Sequence, residues 1–414
     1  MLTCGIDFGT SNSTVSVATD GHARLIPVEG MHLTIPSAVF WETGGPPLFG
    51  REGIAAYVDG VDGRLMRGLK STLGSALVME RTQIGPRAIS FRDVIARFFM
   101  HLKAQLDAVC PITPPVVLGR PVHFVDGDDA ADRAAQAVLE GIAQATGFRQ
   151  IAFQLEPIAA ALHYEQTALR EELVLIVDIG GGTSDFSIVR VGPQRWQRAD
   201  RNDDVLATGG IRVGGTDLDR LLSLAAVMPQ LGFNSTTGAG RGIMPRHYYL
   251  DLATWHRINM LYSQRVAADF KALRAVADAP EHLDRMIRVI AGRHGHGVAM
   301  AVEDAKIALS EAEAARLNLS ALTGGGNPVV TRPTFEEAIA APLTRIGDTL
   351  GQVMAQAGVA PPALSTVFLT GGSAGLPALH ALVGALLPGV PIATGDMLGS
   401  VGTGLALDAA SRFG

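Results

Sequence analysis

Apolar and polar positions alternate through the first forty residues, and the period then changes. Cys4 to Asp7 reads as a strand and Ser13 to Thr19 as a second, ended by the turn pair Asp20-Gly21. Residues 24 to 29 read as a third strand, and Ile35 to Trp41 as a fourth that Gly44-Gly45-Pro46-Pro47 stops. From 88 to 110 the spacing becomes helical, with Val94, Ile95, Phe98, Phe99, Leu102 and Leu106 on one broad face. Val116 to Leu118 is a short buried strand. Asp129 to Thr146 is alanine-rich and helical, with Gly147 as its C-cap. Glu156 to Tyr164 makes another helix, with Pro157 in its first turn.

The pattern then restarts. Leu173 to Asp178 is a strand, Gly180 to Thr183 a tight turn, and Phe186 to Val191 a returning strand. Gly5-Ile6-Asp7-Phe8-Gly9 and Ile176-Val177-Asp178-Ile179-Gly180 each end a strand in Asp, an apolar residue and Gly, and Asp178 follows Asp7 by 171 positions. Self-similarity at that distance points to duplication of a whole domain and not to a solenoid. Residues 217 to 300 read as an insertion, with a mobile Gly/Ser/Thr-rich loop at Gly232 to Gly242. Residues 260 to 311 are largely helical. Thr366 to Leu369 is a late buried strand, Leu376 to Leu387 is helix-like, and a glycine-studded helix runs from Val401.

Composition narrows the picture. The 414 residues are 47% hydrophobic and 18% charged, which suits a folded chain of two to three domains. A net charge of −6 gives no support to a nucleic-acid groove, and no partner of that kind is expected. No apolar run reaches the roughly 18 residues of a membrane span, and the start lacks a basic leader. Cys4 and Cys110 cannot form a disulfide framework, so the expected home is the reducing cytoplasm. The chain keeps only four lysines, Lys70, Lys103, Lys271 and Lys306, against 30 arginines. A position that retains lysine is a candidate for a compact ammonium.

The chemistry sits in the glycine turns. In Asp7-Phe8-Gly9-Thr10-Ser11-Asn12-Ser13 a carboxylate at a strand end precedes glycine and hydroxyls, a set suited to a nucleotide's metal and phosphates, although an ordinary hairpin would look the same. Asp178-Ile179-Gly180-Gly181-Gly182-Thr183-Ser184-Asp185 is more telling, because a turn needs no three glycines merely to fold. Together they read as two hairpins pinching one phosphate chain. Gly214-Gly215-Thr216-Asp217 and Thr370-Gly371-Gly372-Ser373 are weaker, although the second follows a strand's carboxyl end, where open α/β sheets bind ligands. Glu303, Lys306 and Ser310 make one polar stripe on a helix. Lys70 misses a Walker A motif by one inserted residue, which excludes a P-loop. His294 and His296 lack a third ligand at zinc-type spacing and read as a flexible loop.

Taken together, these motifs resemble the nucleotide-binding domain of the 70-kDa heat-shock chaperones, within the actin-like ATPase superfamily. The match runs from Gly5–Ser13 through Leu69-Lys70-Ser71-Thr72-Leu73-Gly74, Glu156–Leu162, Asp178–Asp185 and Val213–Asp219 to Glu303-x-x-Lys306, Ser310 and Gly371-Gly372-Ser373. The resemblance implies an α/β fold of two lobes, each with a duplicated ribonuclease-H-like sheet core. The first lobe would span 1–168 with an inserted subdomain at about 40–110. The second would span 169–414 with one at about 217–300, and the C-terminal helix, about 400–414, would return to the first lobe. It also implies ATP or ADP as ligand, with Mg²⁺ held by Asp7 and Asp178 mostly through water. Lys70, Glu156, Asp178 and Thr183 would be catalytic. Gly9, Thr10, Ser11, Asn12, Gly180, Gly181, Gly182, Thr183, Gly214 and Gly215 would hold the phosphates. Glu303, Lys306, Ser310, Gly371, Gly372 and Ser373 would lie on the adenosine side.

Three departures qualify that resemblance. The chain ends at Gly414, where the family's chaperones continue into a linker and a peptide-binding domain, so an ATPase domain alone is expected, similar to the YegD-like branch. Ile307 and Gly375 stand where the family stacks arginines on adenine. The segment Met228 to Trp255 differs from the usual chaperone. A chaperone-like slow ATPase with an unknown client or co-chaperone is therefore the leading expectation. A sugar- or polyol-type kinase and a filament-forming relative of the same fold are the alternatives.

Overall fold

The computed structural model of the chain describes residues 1–85, 87–195, 202–395 and 398–414. They divide into a larger unit, Met1–Gly215 with Arg345–Gly375 and Leu379–Gly414, and a smaller one, Thr216–Thr344 with Leu376–Ala378.

The larger unit holds two sheets of the same design. In the first, the strands lie in the order Ile151–Leu155, Val116–Arg120, Thr3–Phe8, Asn12–Thr19, His22–Leu25, with Ile35–Pro36 added against Asn12–Thr19. In the second, the order is Ile392–Thr394, Thr366–Thr370, Glu172–Ile179, Ser184–Val191, Val205–Ile211. Each opening strand pairs antiparallel with its successor in the chain and parallel with a strand that arrives much later. The repeated Asp-x-Gly segments are thus equivalent points of two equivalent sheets, with Asp7 and Asp178 each next to last in a central strand. These central strands are buried on both faces, which is why Leu173–Val177 is a continuous apolar run.

Two helices join the sheets. Glu156–Glu165 packs on Ser400–Phe413, and residues of both share one core with Val117 of the first sheet and Val174, Ile176, Val189 and Phe368 of the second. The C-terminal helix also lies on Thr3–Phe8 and Asn12–Thr19. Glycine permits that approach. A side chain on Gly404 would strike the Ala159 carbonyl, and one on Gly5 would sit 2.5 Å from the Ala406 nitrogen. Ser16 Oγ donates to Gly402 O at 2.5 Å and fastens helix to sheet.

The smaller unit is built on the helices Gln264–Val276, Pro280–Ala291 and Gly295–Glu311. Tyr249, Phe270, Leu283 and Met286 are fully buried there, and Arg246 lies over the Phe233 ring at 5.3 Å.

Several elements differ from expectation. The third strand is His22–Leu25 only, because Pro27 brings no N–H to the ladder. The fourth splits at Ser37, whose Oγ donates to Gly9 O at 2.7 Å and shares a 2.8 Å hydrogen bond with Ser13 Oγ. The helix expected from 88 begins at Phe91, capped by Ser90 and preceded by the strand Arg87–Ser90. Gly232–Gly242 carries a short hairpin, Thr236–Thr237 with Gly242–Ile243, and Asp278 ties it by accepting from Thr236 Oγ1 and from the Ala239 and Gly240 N–H groups. His294 and His296 are not a loop. His294 occupies the N-cap position of the helix Gly295–Glu311 without a side-chain capping bond, and His296 is buried within that helix, its ring 5.4 Å from that of Trp255.

The helix–helix contact at Gly404 generates a stability prediction. Gly404→Val should destabilise the larger unit by about 1–3 kcal/mol or more through overpacking. Gly384→Ala, with nothing within 4 Å of the added carbon, should be neutral or stabilise by up to about 1 kcal/mol. Urea unfolding midpoints of the two variants check the pair.

Candidate active site

Two facing hairpins frame the site, and both lie in the larger unit. Gly180 N–H donates to Thr183 O at 2.9 Å and closes the second turn. The two turns pack so closely that a carbon on Gly181 would run into the Ser11 side chain, and one on Gly182 would lie 2.9 Å from Thr10 Oγ1. Gly214 backs the second turn, its missing side chain falling 2.6 Å from Gly182 N, and Gly215 N–H donates to Gly180 O at 2.9 Å. Gly371, at φ +85°, presses against Ile179 and Asp178, and Ser373 N–H donates to Ile179 O at 3.1 Å. Gly372 has open space by comparison, with only Leu398 at 3.9 Å.

Beneath the hairpins lies a charge cluster. Lys70 enters on the short turn Leu69–Thr72, which Gly68 starts in the left-handed conformation. Its Nζ ion-pairs with Glu156, the first residue of the helix Glu156–Glu165, and both side chains are buried, at 5% and 9% exposure. Asp7, Asp178 and Asp185 share the cluster. Burial, and then the Glu156 charge, push Asp7 up to about 7 against the pull of Lys70. The same two causes lift Asp178 well above the carboxylate range and Asp185 to about 7. Burial lowers the Lys70 ammonium's affinity for its proton, but Glu156 and Asp7 outweigh it and the net shift is upward. Asp185 Oδ1 accepts from Val122 N–H at 2.7 Å, which braces the strand end carrying it. One ammonium thus faces four carboxylates, and folding this site favours retained protons or an added cation.

Above the lysine, Thr10, Lys70, Ser71, Gly182, Thr183 and Arg212 line a cavity of about 20 Å³. Thr183 and Lys70 thus line the same cavity. Gly9 and Asn12 close the first turn, since a carbon on Gly9 would strike the Asn12 carbonyl. Two participants escaped the sequence reading. Gly119 adjoins the acids, its absent side chain at ordinary contact distance from Glu156 Cγ and Asp7 Oδ1 and 3.1 Å from Leu405 Cδ1 of the C-terminal helix. Arg212 gave one signal, its place two residues before Gly214-Gly215.

In the smaller unit, Glu303, Lys306 and Ser310 share the helix Gly295–Glu311. Lys306 is buried and its Nζ pairs with Asp219 Oδ1 at 2.8 Å, a partner that spacing along the helix could not name. Ile307 on the same helix is 59% exposed. Among the described residues no group of three His, Cys, Asp or Glu is arranged to cage a metal directly.

The profile of the Hsp70 protein family matches residues 74–228 and 294–410. The chain belongs to the Hsp70 family. Chaperone protein HscA of Salmonella typhimurium is 25% identical over 439 residues, covering 99% of this chain and 58% of that relative. The chain therefore spans less than two thirds of that chaperone's length. Membership of the Hsp70 family brings the two-lobed actin-like ATPase fold, in keeping with the twin sheets. The matched Hsp70 segments include Glu156, Asp178–Asp185, Gly214, Lys306 and Gly371. Asp7–Asn12 and Lys70 lie outside them, and Asp7 and Lys70 nonetheless share the charge cluster with Glu156.

The cluster's electrostatics predict a pH dependence. Asp185 binds its proton more tightly folded than unfolded, so its contribution to stability is complete below about 4 and is lost as pH rises through about 7. Asp185→Asn keeps an acceptor for Val122 and cannot ionise. The stability of the natural protein relative to this variant should fall between pH 5 and 7, by up to about 1.4 kcal/mol per pH unit. Urea unfolding of both proteins across pH 5 to 8 checks it.

Proposed function

We propose that this chain is a Mg²⁺-dependent, slowly turning-over ATP switch of the chaperone type. The observation that carries the reading is the buried Lys70–Glu156 pair beneath two facing glycine hairpins, in a chain of the Hsp70 family. Phosphoryl transfer is mostly positioning plus electrostatic stabilisation, and this set of groups suits both.

The backbone of Gly9, Thr10, Ser11 and Asn12 and that of Gly180, Gly181, Gly182 and Thr183 would cradle the phosphates, with Gly214 and Gly215 supporting the second turn. Lys70 would neutralise charge at the terminal phosphate and orient water, and Glu156 would hold Lys70 in place. Thr183 would lie near that phosphate. The surplus of buried carboxylates fits a divalent cation, and the absence of a direct cage among the described residues fits one held through water by Asp7 and Asp178. Mg²⁺, when bound, supplies neutralisation of the β- and γ-phosphate oxygens. Glu303, Lys306, Ser310, Gly371, Gly372 and Ser373 are assigned to the nucleoside.

The same reading gives lobes of 1–168 and 169–414, and a protein client or co-chaperone as partner. No helix among the described residues is long and apolar enough to cross a membrane. Cys4 and Cys110 are free and buried, which supports a cytoplasmic setting.

Two outcomes are expected. Lys70→Ala should lower ATP turnover by about 10²–10³-fold while changing ATP affinity less than tenfold, because a group aimed at the reacting phosphate acts mainly in the transition state. Phosphate-release kinetics with calorimetric titration check this, and near-normal turnover would remove Lys70 from the mechanism. Ile307 and Gly375 offer no cation to stack on adenine, so ATP affinity should be micromolar, with weak preference over GTP, and Glu303→Ala should weaken both without unfolding the protein. Nanomolar affinity, or titrations unchanged by Glu303→Ala, would displace the helix Gly295–Glu311 from nucleoside recognition.

A further inference from the structure

We infer that Arg212 is a ligand of the terminal phosphate, acting as a second cation opposite Lys70. The inference rests on the ATP reading of this site and adds a specificity device to it: a group that senses the third phosphate.

The backbone at Arg212 is held from several sides. Ile211 still pairs with Ser184, so Arg212 leaves the sheet at the end where the turn Gly180–Thr183 lies. Its N–H donates to Asp126 Oδ2 at 3.1 Å, and the next carbonyl, Val213 O, accepts from buried Ser184 Oγ at 2.7 Å. The side chain then lines the small cavity with Thr10, Lys70, Gly182 and Thr183.

Its guanidinium is only lightly engaged. Nη2 donates to Ser71 O at 3.3 Å, beside Lys70 in the chain. Arg120 and Arg195, two half-buried arginines of the larger unit, each hold a carboxylate, whereas no carboxylate among the described residues ion-pairs with Arg212. A guanidinium has five donors and cannot deprotonate, so most of its capacity is open to a planar oxyanion. Lys70 is already committed to Glu156. Arg212 is therefore the cavity's one cation without a carboxylate partner among the described residues.

About 20 Å³ is room for roughly one water and too little for a phosphoryl group. A γ-phosphate would therefore meet the cavity at its mouth, where the remaining N–H groups of Arg212 can donate to its oxygens while Nη2 keeps its bond to Ser71 O. A bond from the guanidinium to a phosphate oxygen is charged at both ends, which favours it over one to a neutral carbonyl. In hydrolysis the water oxygen bonds to the γ-phosphorus and the bond from that phosphorus to the β–γ bridging oxygen breaks. ADP leaves with that bond's electron pair, and the water's protons remain with inorganic phosphate and solvent. Arg212 donates hydrogen bonds to the γ-oxygens and transfers no proton.

The test compares ATP and ADP on the full chain with Mg²⁺, by calorimetric titration and single-turnover hydrolysis, for the natural protein, Arg212→Ala and Arg212→Lys. Arg212→Ala should weaken ATP about tenfold or more, leave ADP within about twofold, and slow hydrolysis at least tenfold, as loss of an arginine at a transferring phosphoryl group does. Arg212→Lys should recover most of the ATP affinity but not the rate, because it keeps the charge and loses the fork. If Arg212→Ala fails to fold, the lysine variant decides alone, and full hydrolysis by it overturns the assignment. ATP and ADP weakening together in Arg212→Ala would mark a merely structural arginine and also overturn it. A natural protein that binds neither nucleotide overturns the ATP reading and this inference together, whereas normal binding with unchanged variants overturns the inference alone.

Discussion

Lys70 and Glu156 form an ion pair almost wholly withdrawn from water, and the rest of the site is arranged around the cost of keeping them there. Burying an ion carries a penalty of several kcal/mol, recovered only where partners are close and well oriented. The fold meets this by bringing Lys70 in on a short turn, placing Glu156 at the first residue of a helix, and setting Asp7 and Asp178 at the ends of two central strands. The carboxylates outnumber the ammonium, and the imbalance appears as raised proton affinity at Asp7, Asp178 and Asp185. A site with that surplus is a poor stabiliser of its own fold and a good receptor for added positive charge.

Close backbone approach is the second device, and it serves two ends. Between sheet and helix, Gly5, Gly402 and Gly404 let the helix Ser400–Phe413 settle on the first sheet and on the helix Glu156–Glu165. Around the hairpins, Gly181, Gly182, Gly214 and Gly371 let separate turns meet with no side chains between them. Small residues at the first place unite the sheets in one core. At the second they leave N–H groups and hydroxyls facing one another across a narrow space. The same abundance of glycine in the composition therefore reports packing in one region and chemistry in another.

Failures of the sequence reading are as instructive as its successes. His294 and His296, between glycines, suggested a loop, but the chain there caps and enters a helix whose burial of His296 against Trp255 no local propensity encodes. Glycine and serine at Gly232–Gly242 read as a loop with no strand in it, but a carboxylate 36 residues beyond it, Asp278, accepts from two of its N–H groups across a short hairpin. The third strand stopped early at a proline whose consequence was readable in advance.

The alternation of apolar residues and the Asp-x-Gly repeat by themselves determined the two strand–turn–strand units, because period-two burial and turn chemistry are local properties. They also placed Asp7 and Asp178 at strand ends and the glycines at turns. Only the tertiary structure decided that Lys70 pairs with Glu156, that Lys306 pairs with Asp219, and that Arg212 lines a cavity with Lys70 and Thr183. Those partners lie tens of residues apart or more. Their meeting is set by which strands pair and which helices bury against them, a choice made by the whole core and not by any one segment's pattern.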